Sequence, residues 1–201
     1  MQRFVGALLI WAAVPALFAE DIDVVTATPE ATIDSLQRGL VAVAEDAELS
    51  VEQRYERLHP VVTATHDLAY IAELAVRRHW DELDAGQRAR YLAAFETLSV
   101  MTYASRFGNV TSDSFIAVTT PRESADSADV HSAIRASDGE EVSLDYSLRR
   151  TGERWQIVNI VADGVSDLAL KRAEYRRILT EHGADALIEE LGRQADDLAG
   201  G

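Results

Sequence analysis

Cysteine is absent from the 201-residue chain. Its absence removes disulfides, thiolate nucleophiles and zinc–thiolate sites together, and leaves stability to a packed core. Positive charge is scarce: 19 Lys and Arg stand against 34 Asp and Glu, for a formal net charge of −15, and Lys171 is the only lysine. A surface of that sign repels nucleic-acid phosphates and anionic lipid headgroups. Nucleic acid is therefore not expected as a partner, and any approach to a membrane is expected to go through a protein. Only four prolines punctuate the chain, while 47% of its residues are hydrophobic. That composition suits a single domain large enough to bury a core.

Long apolar runs are also missing after the first residues. Met1-Gln2-Arg3 is a short basic start, followed by an apolar run from Phe4 to Phe18 and then Ala19-Glu20-Asp21. The run is short for a spanning helix and suits the core of a secretory leader, so residues 1–19 are expected to be a signal peptide cleaved after Ala19. An uncleaved inner-membrane anchor is the alternative. Residues 20–201 then form one exported domain.

Helical spacing dominates the first half. Thr28-Pro29 opens a segment with Ile33, Leu36, Leu40 and Val43 on one side. Ser50-Val51-Glu52-Gln53 and Asp84-Ala85-Gly86-Gln87 have capping-box form. Pro60 is expected to break or kink the second helix, and Asp67 to cap a third that ends near Trp80. From Ser114 the period becomes two: strands are expected at 114–120, 129–137, from Val142 onward, and at 154–162. Pro121 is placed in a loop, and Asp138-Gly139 in a hairpin turn. A last helical region runs from Asp167 to about Leu198 with a break at Gly183. Helices, an antiparallel meander of about four strands, then helices make an α+β domain.

Catalytic patterns are largely missing. Gly164-Val165-Ser166 lacks the second glycine of a nucleophile elbow, and Ser166 reads instead as the N-cap of the following helix. His59, His66, His79, His131 and His182 form no pair spaced for a metal, and there is no phosphate-cradling glycine loop. The doublets Arg77-Arg78, Arg149-Arg150 and Arg176-Arg177 read as solubilising surface, with a partner or an anionic headgroup as the alternative. No metal and no catalytic residue is assigned, and a binding or carrier role is favoured over an enzyme.

Two segments carry a family resemblance: "RRHWDELDAGQRARYLAAFETLSVMTYASRF", with Trp80, Gln87-Arg88, Phe95, Leu98 and Tyr103-Ala104, and "ERWQIVNIVADGVSDLALKRAEYRRIL". The second holds Trp155-x-Ile157, Ile160, Gly164-Val165-Ser166, Arg172 and Ile178-Leu179, and "GADALIEEL" closes the likeness. The sequence resembles the toluene-tolerance auxiliary family typified by MlaC, the periplasmic lipid carriers of ABC transport systems. "SVMTYASRF" and "DGVSDLALKRAEY" resemble its hopanoid-associated branch more than the phospholipid branch. Asn159, Lys171 and Tyr175 depart from the family's usual Asp, aromatic and Phe.

The resemblance implies a curved sheet like that of nuclear-transport-factor-like cones, covered by helices, with phospholipid or hopanoid cargo between the layers. It implies no cofactor beyond the bound lipid. As partners it implies a membrane-bound substrate-binding subunit of an ABC transporter and an outer-membrane lipoprotein complex. Candidate wall residues are Val142, Leu144, Tyr146 and Leu148, with Val130 and Ile134 on the preceding strand and Trp155, Ile157, Val158 and Ile160 on the last. Each of these would also serve as ordinary core.

Two rival readings make different demands on the interior. A cone-fold enzyme, an isomerase or dehydratase, would need groups such as Asp145, Asn159 or His131 pointing inward. Alternation puts Asp145 on the face opposite Leu144 and Tyr146. A non-lipid scaffold would have a filled core with no lipid-sized cavity.

Overall fold

A computed structural model describes residues 22–135 and 139–200. The expected signal peptide and Asp138 of the expected hairpin turn lie outside the described residues. Each early helix starts at the cap its sequence offers. Helix α1 (Pro29–Ala44) begins after Thr28, whose hydroxyl accepts the Ala31 N–H at 3.1 Å. Helix α2 (Val51–Thr65) opens on a reciprocal capping box between Ser50 and Gln53. Helix α3 (Leu68–Val76) is capped by Asp67, and α4 (Ala85–Arg106) by a second box between Asp84 and Gln87.

Two expectations need correcting. Pro60 does not break α2, which continues to Thr65. Proline removes the bond to the Glu56 carbonyl, but Glu56 and Pro60 are both exposed, so water can take that carbonyl. Helix α3 stops at Val76 rather than near Trp80: the His79 N–H turns back to the Val76 carbonyl at 2.7 Å, and Trp80–Glu82 forms a separate 3-10 turn.

The sheet has five antiparallel strands in sequential order, against an expectation of about four: β1 (Phe115–Glu123), β2 (Ser127–Arg135), β3 (Glu141–Thr151), β4 (Arg154–Ala162) and the two-residue β5 (Val165–Ser166). Pro121 lies within β1 rather than in a loop. An edge strand tolerates a missing N–H, and Pro121 falls in a register shift between Thr119 and Arg122. Gly152, at φ 64°, takes the first central position of the β3–β4 turn. Between β4 and β5, Asp163 (φ 47°) and Gly164 (φ 80°) both have the positive φ that a type I′ turn requires. The Asp163 carboxylate also accepts the Ser143 N–H at 2.8 Å, which ties that turn to β3.

The last helix, α5 (Asp167–Ala199), bends at Gly183 (φ 83°, ψ −179°), a conformation essentially restricted to glycine. Helix α1 lies on the sheet across β1, β2 and β4, and α4 packs against α2, α3 and α5. Tyr91, Phe95 and Tyr175 meet in a buried aromatic cluster, the two tyrosines edge to face at 6.4 Å. The corner after α2 is stitched to the sheet. Asp67 N–H donates to the Ile157 carbonyl at 3.0 Å, and the Gln156 amide donates to the carbonyls of Ala64 and His66 at 3.3 and 3.1 Å.

Candidate functional site

One face of the sheet is turned to the helices, and strand register shows which residues share it. On β2 that face carries Ala128, Val130, Ser132 and Ile134. Opposite them on β3 stand Leu148, Tyr146, Leu144 and Val142. Next, Tyr146 pairs with Ile160 and Leu148 with Ile157, although a strict alternation would put Ile157 and Ile160 on opposite faces. An irregularity between Ser147 and Leu148 leaves Val158 as the extra residue and lets both isoleucines face inward.

Burial changes along this face. Val130, Tyr146, Leu148, Trp155 and Ile157 are all at most 4% exposed. Ile134, Val142, Leu144, Val158 and Ile160 are only half-buried, as are Phe107, Val110 and Phe115 beside them. The apolar face is therefore sealed at one end. It is open at the other, where Phe115 pairs with Ile134, Ile134 with Val142 and Leu144 with Ala162. The C-terminal end of α4 lies at that open end.

A string of buried polar groups crosses the same interior. The Gln37 amide donates to the Ser132 hydroxyl at 3.1 Å, and that hydroxyl donates to the Ile116 carbonyl at 2.9 Å. On the helix side His66 Nε2 lies 2.9 Å from the Tyr103 hydroxyl, while its Nδ1 lies 3.1 Å from the Val62 carbonyl. A carbonyl only accepts, so Nδ1 carries the proton and Nε2 accepts from Tyr103. Burial lowers the His66 pKa from 6.5 to about 4, against smaller upward influences from Val62 and Asp167. Burial also pushes the hydroxyls of Tyr103 and Tyr146 upward, so both stay protonated. These groups are interior and neutral, which suits a layer that holds the helices to one another and to the sheet.

Sequence reasoning gave no role to Gln37, His66, Tyr103 or Ser132. Ser132 had one visible signal, a polar residue in phase with Val130 and Ile134. His66 and Tyr103, separated by 37 positions, meet only through packing.

The groups an enzyme would have needed inward are elsewhere. His131 Nδ1 and the Asp145 carboxylate pair at 2.8 Å across β2 and β3 on the exposed face. Asn159 holds a helix start: its side-chain oxygen accepts the Ser166 hydroxyl at 2.9 Å and the Leu168 N–H at 3.4 Å. Ser166 in turn accepts the Ala169 N–H at 3.2 Å, as an N-cap does. Among the described residues no three His, Asp or Glu side chains gather as a metal site would require.

Two clefts open at the surface. One, of about 340 Å³, lies between the start of α1 and the β1–β2 turn, with Trp155 in its wall. The other, of about 480 Å³, lies at the open end of the inner face, between Arg106, Val110 and Ser114 on one side and Ile134 and Arg135 on the other. Among the candidate wall residues, Trp155 lines the first of these clefts and Ile134 the second. The other eight are packed beneath the helices or line the half-buried end.

The profile of the MlaC protein family matches residues 30–193. The chain belongs to the MlaC family. Among solved structures it is similar to a phospholipid-binding protein from Ralstonia solanacearum in complex with a phospholipid, at 20% identity and a TM-score of 0.72, covering 87% of this chain and 99% of the other. At that identity the likeness shows the fold. No curated protein matches the sequence. The MlaC fold is present here with its sheet, its helical cover and a half-open apolar end, and no described helix is long and apolar enough to cross a membrane.

Proposed function

We propose that this MlaC-family protein is a periplasmic carrier that binds a lipid against the inner face of its sheet and moves it between inner and outer membranes. One observation carries the reading: an apolar sheet face, sealed at one end and half-buried at the other, on a fold shared with a protein solved with phospholipid bound. Exposing lipid chains to water costs about 0.8 kcal/mol per CH₂, so a two-chain lipid gains roughly 25 kcal/mol from a closed apolar site. Such a gain requires no catalytic group.

Val130, Ile134, Val142, Leu144, Tyr146, Leu148, Trp155, Ile157, Val158 and Ile160 form the proposed wall. Tyr103, Phe107 and Tyr146 occupy the space between the layers, so cargo binds by moving helices off the sheet at the half-buried end. Phospholipid is the primary cargo and hopanoid the alternative that the sequence favours at "SVMTYASRF". Exchange partners are a membrane-bound subunit of an ABC transporter and an outer-membrane lipoprotein complex. The test is solvent extraction and mass spectrometry of protein purified from a native-like host, followed by incubation of stripped protein with phospholipid vesicles. Co-purified or acquired lipid supports the carrier; no lipid in either arm rejects it.

A further inference from the structure

Two of the three arginine doublets meet in space. The Arg172 Nε donates to the Leu74 carbonyl at 2.9 Å, which brings the start of α5 against the end of α3. The Tyr91 hydroxyl donates to the Ala72 carbonyl at 2.9 Å, and the same tyrosine meets Tyr175 edge to face. Residues 72–74 of α3 are therefore level with 172–175 of α5, and the two helices run in the same direction. Arg176 stands one turn beyond Arg172 on the same side of α5. Arg77 and Arg78 follow directly on α3 at that level. All four are exposed, and the side chains of Arg77, Arg78 and Arg176 have no partner among the described residues.

The carboxylates of this corner do not cancel its charge. In the 3-10 turn after α3, Asp81 pairs with Arg88 at 3.7 Å and Glu82 with His79 at 2.8 Å. On α5, Lys171 pairs with Asp167 and Arg177 with Glu181. Glu174 is two positions from both Arg172 and Arg176, so it lies on another side of the helix, where it accepts from Gln194. Glu73, one turn before Arg77, is exposed and unpaired. With His79 neutral, Arg77, Arg78, Arg88, Arg172 and Arg176 stand against Glu73, Asp81 and Glu82, an excess of positive charge on a molecule of net charge −15. The C-terminus of a helix favours cations, but only Arg172 reaches a carbonyl of α3.

Charge complementarity decides what fits this corner. Guanidinium forks pair bidentately with carboxylates, and three of the four here are free to do so. A second copy of this chain carries the same −15 and is repelled. A bilayer contact draws on clusters of about four to eight cations or on apolar anchors. The exposed Leu170 is two positions from Arg172 and lies on another side of α5, so the corner has no such anchor. The corner is level with Tyr91, about 22 Å along α4 from Arg106 at the open end of the sheet face. We propose that Arg77, Arg78, Arg172 and Arg176 form a docking surface for an acidic face of another protein, separate from the open end. This goes beyond the carrier reading and stands without it.

The experiment measures binding of labelled poly-L-glutamate, a source of carboxylates without lipid or phosphate, by fluorescence anisotropy at about 0.05 M salt. Wild type is compared with Arg77→Glu/Arg176→Glu and with a control, Arg150→Glu/Arg154→Glu, which makes the same change in net charge. Arg150 and Arg154 are likewise exposed, with no side-chain partner among the described residues. Reversal at Arg77 and Arg176 is expected to weaken binding about tenfold, and the control to stay within about twofold of wild type. Arg77→Gln/Arg176→Gln, which removes the charge without reversing it, is expected to lose about threefold.

No binding by wild type overturns the docking surface. Equal loss in the two reversed pairs also overturns it, since net charge alone then explains the effect. A second arm uses vesicles of phosphatidylglycerol and phosphatidylcholine in equal parts, to which wild type is expected not to bind. Vesicle binding that disappears on reversing Arg77 and Arg176 overturns the protein partner in favour of a bilayer.

Discussion

Mild acid should weaken this protein through one residue. His66 is 5% exposed, neutral and held between the Val62 carbonyl and the Tyr103 hydroxyl, and burial lowers its pKa from 6.5 to about 4. In the unfolded chain the imidazole takes a proton near its ordinary value. In the folded protein it does so only near the lower value. Between those values the unfolded state binds more protons, so stability rises with pH and falls as the solution is acidified. The contribution is fully present above about pH 6.5 and is lost as pH drops to about 4, for a total of about 3 kcal/mol. From about pH 7.5 to about pH 5 the loss is about 2 kcal/mol, or roughly 4–8 °C in Tm for a domain of this size. The assay is urea unfolding at both pH values for wild type and His66→Gln, which keeps an acceptor for Tyr103. The variant should be less stable at neutral pH and lack that part of the acid sensitivity. An unchanged pH slope in the variant, or NMR showing protonated His66 in folded protein at pH about 5.5, would refute the reasoning.

Other substitutions probe the remaining structure. Tyr103→Phe leaves His66 Nε2 buried without a donor and should cost about 1–3 kcal/mol, read by urea unfolding. Ser166→Ala removes the α5 cap and should cost about 1 kcal/mol while lipid loading persists; loss of loading in a folded variant would mean the serine has another role. Gly183→Ala forces a side chain into a conformation favoured by glycine and should lower stability by about 1–3 kcal/mol, read as a drop in Tm. Leu148→Ala, at the sealed end, should cost about 2–5 kcal/mol. Leu144→Trp, at the half-buried end, should instead reduce lipid uptake with little change in stability, measured by vesicle loading.

Much of the fold was legible because its signals are local. Thr28, Ser50, Asp67, Asp84 and Ser166 all cap the helices their sequences announced, since a cap needs a side chain and an N–H three residues on. Gly183 bends α5 as its position suggested. Pro60 and Pro121 misled for a shared reason: proline removes one donor, and both positions lie where that loss is tolerated, one exposed on a helix and one on an edge strand. Exposure and edge position are properties of the assembled molecule.

What the sequence determined by itself was the order of helices and strands, the alternation on β3, the caps and the family resemblance, all set by neighbours a few residues apart. Tertiary structure decided the rest. A bulge at Val158 turned Ile157 and Ile160 to one face, and packing joined His66 to Tyr103 and carried Arg54 to the end of α4. Each of those outcomes depends on how strands pair and layers stack across long separations in the chain. Such geometry is fixed by summed burial and hydrogen-bond satisfaction over the whole domain, not by any local pattern of residues.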